Sequence, residues 1–273
     1  VTLVWILIGN VFIGAVHDYL ALMVSVRNRG SSIADIAEKT MGIRAKSVFS
    51  IFLVLAMLLV IAVFGVVAAK TLIAQPQMVV PTFAIIPISI ALGWFIYYRN
   101  TDLAVSSIIA VAGVILSIYF GFQFPVELPE NGVIGLSPLI FWFVILMIYA
   151  AVASVLPVNI LLQPRDYLST YILFGSMALA VLALLWIHPE LHTPAYRGGF
   201  SEEQGPVWPM LFVLVACGAV SGFHSLVAGG TTSKQLAVES QGKSIAYGGM
   251  LTEGAVAVVT VLLVSGGLYW VAP

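Results

Sequence analysis

MLFVLVACGAVSGFHSLVAGGTTSKQ, residues Met210–Gln235, decides how the chain is read. It begins as an apolar helix suited to a membrane. Gly218, Ser221, Gly222 and Ser225 fall at i, i+3, i+4 and i+7, which lines one helical face with small residues. His224 follows inside the apolar run, and Gly229 and Gly230 are expected to undo the helix ahead of Thr231, Thr232, Ser233 and Lys234. Hydrocarbon leaves no partner for an open backbone group, so polar or irregular segments at this depth must be buried in protein or line a wet cavity. Gly218 and Gly222 also form a G-x-x-x-G pair, and a close helix–helix approach explains that pair equally well.

Composition fixes the surroundings of this stretch. The chain is 61% hydrophobic and 8% charged over 273 residues, which is the balance of a polytopic membrane protein. A net charge of −1 gives no electrostatic footprint for nucleic acid. The single cysteine, Cys217, supports neither a disulfide framework nor a cysteine metal cluster. No soluble linker interrupts the sequence, so residues 1–273 read as one transmembrane domain. The chain opens at Val1 and stops at Pro273 against apolar runs, and a piece of a longer protein is expected.

Eight apolar spans are expected: Val1–Val26, Val48–Ala69, Thr82–Tyr98, Leu103–Phe122, Pro138–Leu156, Leu168–Ile187, Met210–Ala228 and Tyr247–Val271. Each can cross about 30 Å of hydrocarbon at about 1.5 Å per residue. The connections after spans one, three, five and seven carry Arg27, Arg29, Lys39, Arg44, Lys46, Arg99, Arg165, Lys234 and Lys243. Lys70 and Arg197 stand on the other side, so the first set is cytoplasmic by the positive-inside rule and Val1 starts outside. The first cytoplasmic connection reads as a short helix, with Ser31 or Ser32 as cap, Asp35 in its first turn and Gly42 at its end. His188, Glu190 and His192 share an outer connection, but without further ligands this is a solvated loop rather than a metal site.

Residues that cost energy in hydrocarbon are the functional candidates. Asn10, Gly14, His17, Asp18 and Ser25 share one face of span one and should point into the bundle. Asp18, Glu253 and His224 come from three spans and reach similar depth on the cytoplasmic side. Asp18 can form a structural pair with His17 or Lys243, whereas Glu253 and His224 read as functional. A buried carboxylate can exchange a proton near neutral pH, because desolvation opposes its charged form while a protonated histidine favours it. Glu253 is therefore the first candidate for proton coupling, with His224 as its partner and Asp18 and His17 behind them. Span five ends unusually: Pro157 is expected to remove an N–H deep in a span, where Ser154, Asn159 and Gln163 can engage the freed carbonyls. A kink and a discontinuous helix facing a cavity both fit that pattern. The cavity candidates are accordingly Ser154, Pro157, Asn159, Gly218, Ser221, Gly222, Ser225, Thr231 and Thr232. No cofactor or metal is called for.

Several long motifs occur in order: GAVHDYLALMVSVRNRGSSIADIAEKTMG, LQPRDYLST, GPVW, CGAVSGFHSLVAGGTTSK and YGGMLTE. Together they resemble the carbon starvation protein A family across nearly the whole chain. The resemblance implies a multi-pass inner-membrane transporter that takes up peptides or, in some members, pyruvate with protons, and that is not an enzyme. It also implies the amino acid–polyamine–organocation fold, with a five-plus-five inverted repeat and broken first and sixth core helices. Family chains are longer, and a glycine- and proline-rich motif with paired histidines precedes the segment matching Val1. If that motif is core helix one, Val1–Val26 is helix two, Pro138–Gln163 is helix six, and Met210–Ala228 is helix eight on the central cavity. No P-loop is present, so an ion gradient or another chain must supply the energy. Two other classes compete. One is an intramembrane serine hydrolase with Ser221 as nucleophile; the other is a purely structural membrane subunit.

Overall fold

The computed structural model of the chain describes residues 1–99, 101–129, 132–133, 135–191, 198–201 and 205–267. It is an all-α polytopic bundle. Seven helices among the described residues are long and apolar enough to cross a membrane. They are α1 (Thr2–Arg27), α3 (Ile43–Ala74), α4 (Pro76–Arg99), α5 (Leu103–Gln123), α6 (Pro138–Val155), α7 (Leu162–Ile187) and α11 (Glu239–Gly267). The short α2 (Ile33–Met41) links α1 to α3. The chain divides into two compact units, Val1–Phe52 with Met177–Pro273, and Leu53–Ser176, so that the boundaries fall inside α3 and α7.

The eighth expected span is the one that differs. Met210–Ala228 is not a continuous helix but three short pieces, α8 (Val207–Leu214), α9 (Ala216–Ala219) and α10 (Gly222–Val227). Val215 sits at φ −103° and ψ 14°, and Val220 at φ −152° and ψ 78°, both outside the helical region. A β-branched Val220 followed by Ser221 and Gly222 is a run of weak helix formers, so little is lost by opening the chain there. Gly229 and Gly230 do not undo the helix as expected. They lie in a π-helical turn, Ala228–Thr232, that continues into Ser233–Gln235. Because the chain opens between Gly218 and Gly222, the four small residues do not form one uninterrupted helical face.

In the first unit α1 supplies the packing stripe. Ile6, Asn10, Gly14, Asp18, Leu22 and Ser25 are all buried, at the spacing that returns a helix to the same face. A π-helical turn over Gly9–Gly14 adjusts the register of this stripe. A side chain at Gly14 would come within 2.6 Å of the Ala219 carbonyl, so only glycine permits this approach to α9. Ser32 is the cap of α2: its hydroxyl accepts from the Asp35 N–H at 3.2 Å and donates to the Asp35 carboxylate at 2.7 Å. Gly42, at φ +90°, ends the helix.

In the second unit α4 and α5 pack as a hairpin whose turn is capped by Asp102, which accepts from the Val105 N–H at 3.0 Å. Ile85, Leu92, Ala110 and Val114 form its core with Leu168. α6 stops at Val155 because Leu156, preceding Pro157, is extended at ψ 144°. Pro157 therefore lies in a six-residue connection, 156–161, rather than deep inside a span. The backbone there is not continuous α-helix. Its turns close through Ile160 donating to the Pro157 carbonyl at 3.0 Å and Gln163 donating to the Val158 carbonyl at 2.9 Å.

Candidate functional site

The first unit gathers polar side chains where α1, α10 and α11 meet. His224 stands at the centre. Its Nδ1 lies 2.7 Å from Asp18 Oδ2, and its Nε2 lies 2.7 Å from Glu253 Oε2. His17 Nδ1 is 3.2 Å from the other oxygen of Asp18, and the Cys217 thiol donates to Glu253 Oε1 at 3.3 Å. The groups thus form one chain, His17–Asp18–His224–Glu253–Cys217. Asp18 is enclosed, with 6% of its side chain exposed, whereas His224 and Glu253 keep 30% and 29%. Lys243, the other sequence-level partner for Asp18, is exposed and has no part in this chain.

Proton counting constrains the cluster. A neutral imidazole has one donor and one acceptor, and an ionised carboxylate only accepts. Filling both 2.7 Å bonds needs two hydrogens, supplied either by an imidazolium between two carboxylates or by a neutral imidazole beside one carboxylic acid. Both arrangements carry a net charge of −1. Removing one hydrogen would leave two lone pairs facing each other at this distance, so the two bonds need at least two hydrogens.

A cavity of about 460 Å³ opens beside the cluster. Asp18, His224 and Glu253 form its polar edge, and Leu22, Phe223, Val227, Ile245 and Met250 form apolar wall. Of the expected cavity residues, Thr232 lines it too. Ser221 and Ser225 are buried next to it in sequence, and the Ser225 hydroxyl donates to the Gly222 carbonyl at 2.8 Å. Thr231 is exposed. Gly218 makes the expected close approach, since a Cβ there would meet Ala257 Cβ at 2.7 Å. Gly222 does not: it is exposed, and a Cβ there would meet nothing within 4 Å.

The remaining candidates belong to the other unit. Asn159 lines a separate cavity of about 350 Å³ with Trp94, Tyr97 and Tyr98. Ser154 and Pro157 are exposed, and the Ser154 hydroxyl donates to the Ala151 carbonyl at 2.7 Å within its own helix. Neither lines that cavity with Asn159. Among the described residues no group of three or more His, Cys, Asp or Glu has the arrangement of a metal site. His192 lies outside the described residues. Among the described residues Ser221 has no histidine base: both ring nitrogens of His224 are engaged by carboxylates, and the side-chain partner of Ser221 is Cys217 at 3.9 Å.

Two groups were not among the residues expected to line the cavity or to couple protons. Asn10 donates to the Met250 carbonyl at 2.7 Å and to the Gly218 carbonyl at 3.3 Å, which ties α1 to α11 and to the broken segment. Its place in the polar stripe of α1 was the available signal. Cys217 stands four residues before Ser221 and reaches Glu253, a contact with no sequence signature. Ser25 forms a second tie: its hydroxyl lies 2.8 Å from the Ser31 carbonyl, 3.1 Å from the Gly229 carbonyl and 3.0 Å from the Ser233 hydroxyl. This fixes the π-helical turn against α1.

A search of known protein families matches the profile described as carbon starvation protein CstA to residues 2–269. The chain belongs to the carbon starvation protein CstA family. It is 34% identical to "Peptide transporter CstA" of Campylobacter jejuni, over 98% of this chain and 39% of that protein. It is 36% identical to "Peptide transporter CstA" of Mycobacterium tuberculosis, over 95% of this chain and 35% of that one. "Pyruvate/proton symporter BtsT" of Escherichia coli is 33% identical, over 97% of this chain and 38% of its own length. The chain spans about two fifths of the length of these relatives. No solved structure matches it.

Proposed function

We propose that the chain is part of a proton-coupled secondary transporter of the inner membrane, with Asp18, His224 and Glu253 as its proton site. The observation that carries this is the imidazole held at 2.7 Å from a carboxylate on each side, at the edge of a cavity inside a membrane bundle. Intramembrane ionisable groups that pair across spans are the usual parts of proton relays. The names of the relatives supply the substrate classes, peptides and pyruvate.

The loaded state holds two hydrogens in the two bonds of His224 and carries a charge of −1. Loss of one proton is incompatible with both bonds at their present length. Proton release is thereby tied to separation of the helices that carry Asp18, His224 and Glu253. The break in the α8–α10 segment and the π-helical turns on either side of the cluster give those elements places to move. This arrangement is compatible with the amino acid–polyamine–organocation fold, with the α8–α10 segment on the central cavity.

The test is uptake in proteoliposomes of labelled dialanine and labelled pyruvate, with and without an imposed pH gradient. Accumulation of either against its own gradient, driven by the pH difference, is expected. Glu253→Gln keeps the shape of the side chain and removes its titration, so it should abolish that accumulation. A variant that still concentrates substrate when a pH gradient is imposed would show Glu253 to be structural.

A further inference from the structure

We infer that the groove between α4 and α5 holds one phospholipid of the adjacent membrane leaflet, with an acyl chain along the hairpin and a primary ammonium headgroup at Asp102. This site belongs to the second unit and does not depend on the transport reading.

The groove has a volume of about 610 Å³ and is walled by Ile88, Leu92 and Phe95 of α4 and by Val105, Ile109 and Gly113 of α5. Thr101, Asp102 and Ser106 form its mouth. The path from Asp102 down to Gly113 is about 16 Å at the helical rise. That is about half the thickness of a hydrocarbon core, which is the reach of one acyl chain. A spanning helix of protein would continue past Gly113 toward Gln123, whereas the lining ends at Gly113. The mouth lies at the turn of the hairpin, close to Trp94 and Arg99, whose guanidinium carbon sits 5.1 Å over the indole ring. Interfacial tryptophan and arginine mark the headgroup level of a membrane.

The polar groups at the mouth decide the headgroup. The Thr101 hydroxyl donates its one hydrogen to the Phe95 carbonyl at 3.0 Å, so its 2.8 Å contact with Ser106 uses the Ser106 hydrogen. Asp102 accepts the Val105 N–H at 3.0 Å, and a carboxylate has lone pairs beyond that bond. The mouth thus presents a negative charge and oxygen acceptors. A primary ammonium brings a positive charge and three donors to them. A trimethylammonium headgroup has the charge without the donors, and a glycerol headgroup has donors without the charge. Ile88, Leu92, Phe95 and Arg99 fall at i, i+4, i+7 and i+11, so Arg99 continues the lining stripe of α4 and places a cation beside the mouth for the lipid phosphate. Phosphatidylethanolamine matches both charges.

Lipid retention by the purified, delipidated protein tests the assignment, read by native mass spectrometry with phosphatidylethanolamine and phosphatidylcholine of the same acyl chains in competition. Phosphatidylethanolamine should be retained at least about fivefold more strongly, the scale of one exposed charge pair. Asp102→Asn keeps the helix cap and removes the charge, so it should abolish that preference at an unchanged unfolding temperature. Ala91→Phe fills the groove from α4 and should weaken retention of both lipids. Where that variant does not fold, Gly113→Leu blocks the deep end instead, at a position where a Cβ meets Ile88 only at 3.6 Å. Equal retention of the two lipids overturns the assignment, and so does a preference that survives Asp102→Asn or retention that is unchanged when the groove is filled. Retention of neither lipid would mean that protein covers the groove, and overturns it as well.

Discussion

The side-chain amide of Asn10 donates to the carbonyl of Gly218, 3.3 Å away, just ahead of the point where the α8–α10 segment leaves the helical path. The same amide donates to the Met250 carbonyl at 2.7 Å. One buried side chain thus supplies hydrogen bonds that an interrupted backbone in a membrane cannot take from lipid. Asn10→Ala should cost about 1–3 kcal/mol, since it strands buried acceptors. Asn10→Asp should cost more, because an acceptor-only carboxylate would face two carbonyls. Thermal unfolding in detergent of the two variants beside the unsubstituted protein measures both.

Glycines in this region separate sharply by what surrounds them. A Cβ at Gly254 would lie 2.5 Å from the Asn10 amide, and one at Gly218 would lie 2.7 Å from Ala257 Cβ. Gly254→Ala and Gly218→Ala should each destabilise by about 1–3 kcal/mol through overpacking. Gly222→Ala meets nothing within 4 Å and should stay within about 0.5 kcal/mol of the unsubstituted protein. A rise in unfolding temperature for all three would show that helix propensity, not packing, governs these sites.

Asp18 and His224 should behave as a coupled unit. His224→Phe removes the partner of an enclosed carboxylate, and a loss of about 3–5 kcal/mol is the scale for breaking a buried pair, reduced here by the 30% exposure of the imidazole. Asp18→Asn in the same background should restore part of the loss. A double-mutant cycle should give a coupling of at least about 0.5 kcal/mol; additivity would mean that the 2.7 Å contact contributes nothing.

The connection Ile33–Met41 has a pH dependence of defined sign. The Ser32 hydroxyl, and then Lys46 at 3.0 Å, hold the Asp35 carboxyl below its usual range. A group whose value is lowered on folding adds stability above its unfolded value, near pH 3.9, and loses it as pH falls through the lower folded value. Amide exchange of this helix should therefore slow as pH rises through the acid range, after correction for intrinsic rates, and the dependence should shrink in Ser32→Ala. An unchanged profile in that variant would remove Ser32 as the main cause.

Much of the architecture was legible in the chain because membrane insertion acts on composition and length. Seven apolar runs became helices suited to spanning, and Leu103–Gln123 begins at the expected residue because Asp102 caps it locally. The inward stripe of α1 followed from helical period alone, since Asn10, Gly14, Asp18 and Ser25 cannot face lipid cheaply. Pro157 fixed an end for α6, because its ring excludes the helical conformation from the residue before it.

What only the tertiary structure decided was where the chain opens and which polar groups meet. In Met210–Ala228 helix propensity is merely weak around Val220 and Ser221, and the partner that accepts an opened carbonyl, Asn10, lies 208 residues away. The glycines at 229 and 230, which look like helix breakers, stay wound because Ser25 and Ser233 both bond the Gly229 carbonyl. His224 could be read as costly in hydrocarbon, but not as the centre of two carboxylates from two other helices. Helical period is a local property and depth can be counted along one span. Which faces turn toward one another is set by packing between segments more than two hundred residues apart.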